Sequence, residues 1–426
     1  MNRPVLTAVL LAAALPAAAA TTAIVGGKIH TVGPQGTIET GTVLVVDGRI
    51  AAVGEDVAVP ANAETIDANG KVVTPGLFAP PSRLGLVEVD LSAGPLDGAQ
   101  RGERFTAGFD VADAYNPRST LVAVNRVEGV TRAVVAPAPA LPGESGAGHV
   151  IAGLAAVVNL GDGDVLDRRG VALAVSLGEY GARLAGGSRA GAWLRLRNAL
   201  DEALDYREHK GDFERGLRRD YVHGVADLEA LQGVVNGNTP LLVDIDRASD
   251  IEVLVRFVDE YSVRAIVVGG AEAWMLADDI ASAGIAVILD PTANLPGNFD
   301  RINARFGAAT ILAEAGVSVA FKYDSQHNLR NVTQAAGNAV AHGLDWDAAL
   351  RAITLTPAEI FGMSATTGSI AAGKAADLVI WPGDPLELTN FPERVFVNGE
   401  AVPMVTRQTL LRDRYLRTDG PPAYRN

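Results

Sequence analysis

Few side chains in this sequence offer chemistry, and most of them stand at the ends of apolar runs. Asp244 closes Leu241-Leu242-Val243, Asp290 closes Ile288-Leu289, and Asp324 follows Val319-Ala320-Phe321-Lys322-Tyr323. His327 lies three positions beyond Asp324 and is the best-placed imidazole for acid–base work. Arg83 follows Pro80-Pro81-Ser82 as a fixed cation. It can grip a substrate carboxylate through two parallel N–H bonds, or be held itself by a buried aspartate. His149 stands in a glycine-rich stretch, Gly143 to Gly153, where bare backbone can approach a ligand. No histidine pair shows H-x-H or H-x-x-x-H spacing, so no ready-made imidazole metal clamp is written locally. The chain has no cysteine, which excludes thiolate-bound zinc, disulfides and a thiol nucleophile.

These residues need elements to position them. The central sequence alternates short Val/Ile/Ala-rich runs with helical stretches, the pattern of a parallel sheet covered on both faces. The runs Thr131–Ala136, Val171–Ser176, Leu241–Ile245, Ala265–Val268, Ala286–Leu289 and Val317–Phe321 are predicted strands. Helices are predicted over Ile251–Tyr261, Ala271–Ala283, Val332–His342 and Trp346–Ile353, with Ser249 as N-cap of the first. Glu272 reads as a helix start rather than a ligand. A polar helical insert occupies residues near 188–232, and Lys210 lies on its solvated face. The two ends of the chain have a different texture, short strands punctuated by turns. Asp47-Gly48 and Asn398-Gly399 are the two-residue turns of two hairpins. A small β-sandwich built from both ends follows from this spacing.

A net charge of −14 and the lack of a basic segment argue against nucleic acid as a partner. The first twenty residues carry Arg3, an apolar stretch from Val5 to Leu15 and an Ala-rich cleavage site ending at Ala20. The stretch is too short to span a bilayer and reads as a cleaved secretory signal without a lipid-accepting cysteine. Periplasmic or secreted location is the expectation, with no membrane span after cleavage.

Three segments resemble the metal-dependent amidohydrolase superfamily, in particular its imidazolonepropionase-like and periplasmic members. Val72-Val73-Thr74-Pro75-Gly76-Leu77 is similar to the family's opening run, which leads into a strand ending His-x-His. Here the two histidine positions are Pro81 and Arg83, and Ala79 stands at an aspartate position. Gly368-Ser369-Ile370 through Gly373-Lys374-Ala375-Ala376-Asp377-Leu378-Val379-Ile380-Trp381 is similar to a run in the family's C-terminal β segment. Gly316 to Ser325 resembles its last barrel strand, with Asp324 at the position of the aspartate that ligates metal and acts as general base. Asp244 and the pair Gly269-Gly270 stand at further histidine positions, and Asn159 where relatives carry lysine.

The resemblance implies a distorted (β/α)8 barrel over residues 76–364 and a composite β-sandwich from 21–75 and 365–410. A tail of residues 411–426 follows. It implies a hydrolase acting on non-peptide carbon–nitrogen bonds with an altered or lost metal site. At most a single divalent metal is expected, with Asp244 and Asp324 as its weak ligands. Asp324 and His327 are the catalytic candidates, Arg83 and His149 the substrate-binding ones. The alternative is an inactive relative that keeps the barrel as a binding or assembly scaffold. A third reading is metal-free hydrolysis by Asp324, His327 and Arg83. The partner is a small-molecule or peptide-like ligand, and a homo-oligomer is compatible with the sequence.

Overall fold

The computed structural model describes residues 20–89, 92, 94, 96–100, 105–139, 148–323 and 325–416. Two eight-stranded sheets organise them. The first is built from both ends of the chain: β1 (Thr21–His30), β2 (Thr37–Val46), β3 (Arg49–Gly54), β4 (Glu64–Asp67), β5 (Val72–Pro75), β14 (Leu378–Trp381), β15 (Arg394–Val397) and β16 (Glu400–Ala401). It runs in the order β16-β15-β14-β5-β1-β2-β3, with β4 also on β1. The domain built from both chain ends is joined by one continuous hydrogen-bonded strand order. Both β4 and β5 pair with β1 in parallel, at successive positions along it. The two hairpin turns form as the sequence requires. Asp47, Gly48, Asn398 and Gly399 all take positive φ, the backbone of a two-residue turn that matches strand twist.

The second sheet is the barrel. Its strands are β6 (Leu77–Ser82), β7 (Val130–Val135), β8 (Ile151–Asn159), β9 (Leu166–Ser176), β10 (Leu241–Ile245), β11 (Ala265–Gly269), β12 (Ala286–Leu289) and β13 (Val319–Phe321). They pair in chain order from β6 to β13, and the sheet is nearly closed. Seven strands run parallel; β8 runs against its neighbours β7 and β9. The glycine-rich stretch was expected to be a loop through Gly153. Gly143 to Ala147 lie outside the described residues, but Ile151 onward is strand, its ladder completed by both neighbours.

Each barrel strand sends one apolar side chain to the axis: Phe78, Val134, Ala155, Ala172, Leu242, Ile266, Ile288 and Ala320 pack in one buried cluster. Because side chains alternate along a strand, residues two further on point the same way and form the next layer up. That layer is the mouth of the barrel.

The insert forms the helices Arg189–Glu214 and Val225–Val235. Lys210 is paired with Glu229 at its exposed edge. The helix after β10 starts at Ala248, one residue before the predicted cap, and Ser249 instead accepts from Arg247 Nε. Its first N–H is satisfied by Glu272, whose buried carboxylate takes Ala248 N at 3.0 Å and Asn303 N at 3.1 Å. Glu272 does precede a short 3-10 helix, Ala273–Leu276, but its side chain caps a different one. The chain's last described helix, Arg407–Leu416, begins within the segment assigned to the β domain and runs into the expected tail. No helix of the described residues is long and apolar enough to cross a membrane.

Candidate active site at the barrel mouth

A cavity of about 490 Å³ opens at the carboxyl ends of the parallel strands. Ala136, Ala174, Asp244, Val268 and Lys322 line it. Each lies two residues beyond an axis-facing residue of its strand, as the alternation demands. Pro81 and Arg83 join from β6. The pairing of β6 with β7 is irregular between Ala79 and Ser82, so the regular alternation is interrupted before these two positions. Two successive prolines cost no ladder bond there, because β6 is an edge of the sheet.

Among its described lining residues the cavity brings together one carboxylate, Asp244, and two cations, Arg83 and Lys322. Tyr180 closes one side from the helix Gly178–Leu184, its hydroxyl donating to Pro139 O at 2.9 Å. Burial pushes the Tyr180 phenol above its ordinary pKa; Arg183 and Arg83 pull it down and Asp244 pushes it up. The hydroxyl therefore stays protonated at neutral pH. Ser82, Ser176 and Ser325 add hydroxyls, while Pro81, Pro137 and Pro139 supply apolar wall.

The described lining residues do not by themselves make a divalent-metal site. No histidine is among them, Pro81 has no side-chain donor, and two of the groups are cations that repel one. Among the described residues no cluster of three or more His, Asp or Glu side chains has metal-binding geometry. Among the described lining residues, Asp244 alone offers a carboxylate.

The remaining sequence candidates fall elsewhere. Asp324 lies outside the described residues. His327 sits in the turn after β13 and is not among the residues lining the mouth. His149 is away from it too, on a second cavity. Asp290 forms a local turn, accepting from Thr292 N at 2.9 Å and Thr292 Oγ1 at 2.6 Å. Asp246 lies just past the end of β10. There it holds Arg301 Nε at 2.7 Å and Ala271 N at 3.1 Å. Gly269 is needed beside it: its φ is +95°, and a Cβ would come 2.6 Å from Asp246 Oδ1. A histidine here would displace the Asp246 carboxylate and strain a backbone held at positive φ. Asn159, at the amino-terminal face of the barrel, holds the Asp164–Asp167 turn.

Sequence reasoning missed Lys322 and Tyr180 as wall residues. The alternation from Ala320 would have found the first. It also passed over Glu202, which is 4% exposed and accepts from Val222 N, His223 N and His223 Nδ1 at 2.8–3.1 Å. Burial opposes the charge of Glu202, but those donors more than offset it and hold its pKa below the ordinary value. A carboxyl depressed on folding stabilises the fold above its unfolded pKa, and that contribution is lost as pH falls through the folded value. Glu202→Gln is therefore expected to cost about 1–3 kcal/mol at pH 7. The difference from wild type should shrink below about pH 4, read by urea denaturation across pH.

Comparison with known proteins agrees with this architecture. Residues 208–402 match the model of the Amidohydrolase family. The chain is 24% identical over 421 residues to the amidohydrolase tasK of Hapsidospora irregularis, covering 90% of this chain and 42% of that protein. It thus spans about two fifths of the length of that curated relative. Among solved structures, an amidohydrolase of Thermotoga maritima superposes with TM-score 0.79 at 23% identity, over 91% of this chain and all of the other. A prolidase solved with N-methylphosphonate-L-proline gives 0.54 at 18%, covering 90% and 99%. An adenosine deaminase of Xanthomonas campestris with bound zinc gives 0.53 at 16%, covering 93% and 97%. At these identities the solved structures speak for the fold.

Proposed function

The chain belongs to the amidohydrolase superfamily, and from that premise we propose that its barrel mouth binds a small carboxylate-bearing molecule in place of a histidine-held metal. The observation that carries this is the lining itself: Arg83 and Lys322 line a cavity with no histidine among its described residues. A guanidinium matches a carboxylate bidentately, and an ammonium adds a point charge beside it. Asp244 and Tyr180 can orient a polar group on the same ligand, and the prolines contact its apolar part. The cavity volume suits one small molecule. On this reading the protein is a ligand-binding member of a hydrolase family. Export of the chain, with cleavage near Ala20, completes the reading and is checked by N-terminal sequencing of the periplasmic or secreted protein.

Carbon–nitrogen bond hydrolysis is the second reading. It is supported by the family match and by Asp324, which stands at the family's general-base position in the sequence. The two are separated by a thermal-shift panel of small carboxylates run beside a turnover assay on amides. Stabilisation by a carboxylate with no product formed is the expected result. Amide turnover that Asp324→Asn abolishes would establish the second reading.

A further inference from the structure

A second cavity, of about 410 Å³, lies apart from the barrel mouth. One wall is the long insert helix, where Leu194, Arg195 and Asn198 share a face. Glu202 lies one turn further along the same face and fixes the segment Val222–His223, which closes that end. The opposite wall is His149 with the start of β8, Val150 and Ile151, and Thr106 stands beside them.

We propose that this cavity is a binding site for a small amphipathic carboxylate. Its chemistry divides cleanly. Val150, Ile151, Leu194 and Val222 give an apolar lining, and Leu194 and Val222 stay 67% and 81% exposed at its rim. Large aliphatic side chains left in water beside a cavity are the mark of a ligand's apolar body. The polar part of the lining is one cation, Arg195, with the amide of Asn198 and two imidazoles. No acidic side chain is among its described lining residues. Glu202, behind His223, is committed to that ring, taking Nδ1 at 2.8 Å. That bond fixes the ring and leaves Nε2 on its other edge. Thr106, 7% exposed, has a hydroxyl with no hydrogen-bond partner among the described residues, so the wall carries polar capacity that the protein itself does not use. Arg195 is already anchored, its Nη1 donating to the carbonyls of Gly148 and Leu184. A guanidinium held in place loses less freedom when an anion arrives.

The probe is sodium octanoate, titrated calorimetrically into the full chain, with octylamine as the same tail bearing the opposite charge. Saturable octanoate binding is expected, and none from octylamine. Leu194→Asp and Asn198→Asp each place a carboxylate on an accessible part of the wall. Each should weaken octanoate at least about tenfold while the circular dichroism spectrum stays that of wild type. No saturable heat with octanoate overturns the proposal. Equal binding of octylamine overturns the carboxylate assignment. Octanoate binding that survives in both variants places the ligand elsewhere and overturns the site.

Discussion

Arg132→Met is expected to lower the free energy of unfolding by about 3–5 kcal/mol, the cost of leaving buried charges without their partner. Arg132 lies on β7 and is 4% exposed. Its Nε donates to Asp377 Oδ2 at 2.8 Å, Nη1 to Asp167, and Nη2 to Asn398 Oδ1 at 2.7 Å. One cation thus ties the amino-terminal end of the barrel to the strand β14 and the β15–β16 turn. Asp377 is further bonded by Thr367 Oγ1 at 2.7 Å and Asn398 N at 3.0 Å, so it cannot move to find water. Methionine keeps the length of the stem and removes the charge. The buried Asp377 carboxylate then loses its cation, while Asp167 keeps access to solvent. Equilibrium urea denaturation reads the effect. A loss below about 1 kcal/mol would show that the cluster rearranges and that this junction is not what holds the two sheets together.

The second large effect is at the mouth. Arg83→Glu should weaken whatever small carboxylate stabilises the wild type by about 10- to 100-fold, because a charge-assisted contact becomes a repulsion. The fold should not suffer, since the site is an open cavity at the edge strand β6 rather than core. Isothermal titration with the best carboxylate from the thermal-shift panel measures it. Unchanged affinity would mean that Arg83 serves the fold and that the ligand is held by other groups.

Much of the frame was legible before the structure. The parallel strands β9 to β13 announce themselves by short Val/Ile/Ala runs, because strands buried on both faces need no alternation. Asp47-Gly48 and Asn398-Gly399 announce their turns because few other pairs accept positive φ twice. The antiparallel β8 was not legible. Its glycines read as a loop, and what makes Ile151–Asn159 a strand is the ladder on both sides. Glu272 was opaque for a similar reason: its cap acts on Ala248, supplied across the fold rather than along the chain.

The site divides the same way. Asp244 and Arg83 were visible because they end strands or follow them. Lys322 was visible in type, but only the axis-facing Ala320 two residues earlier shows where it points. His149 was grouped with the mouth because of its glycine-rich neighbours. It lies instead with Leu194, Asn198 and His223, segments that no local spacing connects. The substitutions at Pro81, Arg83, Asp244 and Gly269 now have one physical sense. Gly269 packs against the Asp246 carboxylate, and the other three line a single cavity.

The most direct test is metal content. The full chain is dialysed against excess zinc, then manganese, washed, and analysed by inductively coupled plasma mass spectrometry. The result expected here is substoichiometric metal, with a carboxylate still raising the melting temperature of the washed protein. Stoichiometric metal that Asp244→Asn removes would contradict it, since the mouth would then be a metal centre after all.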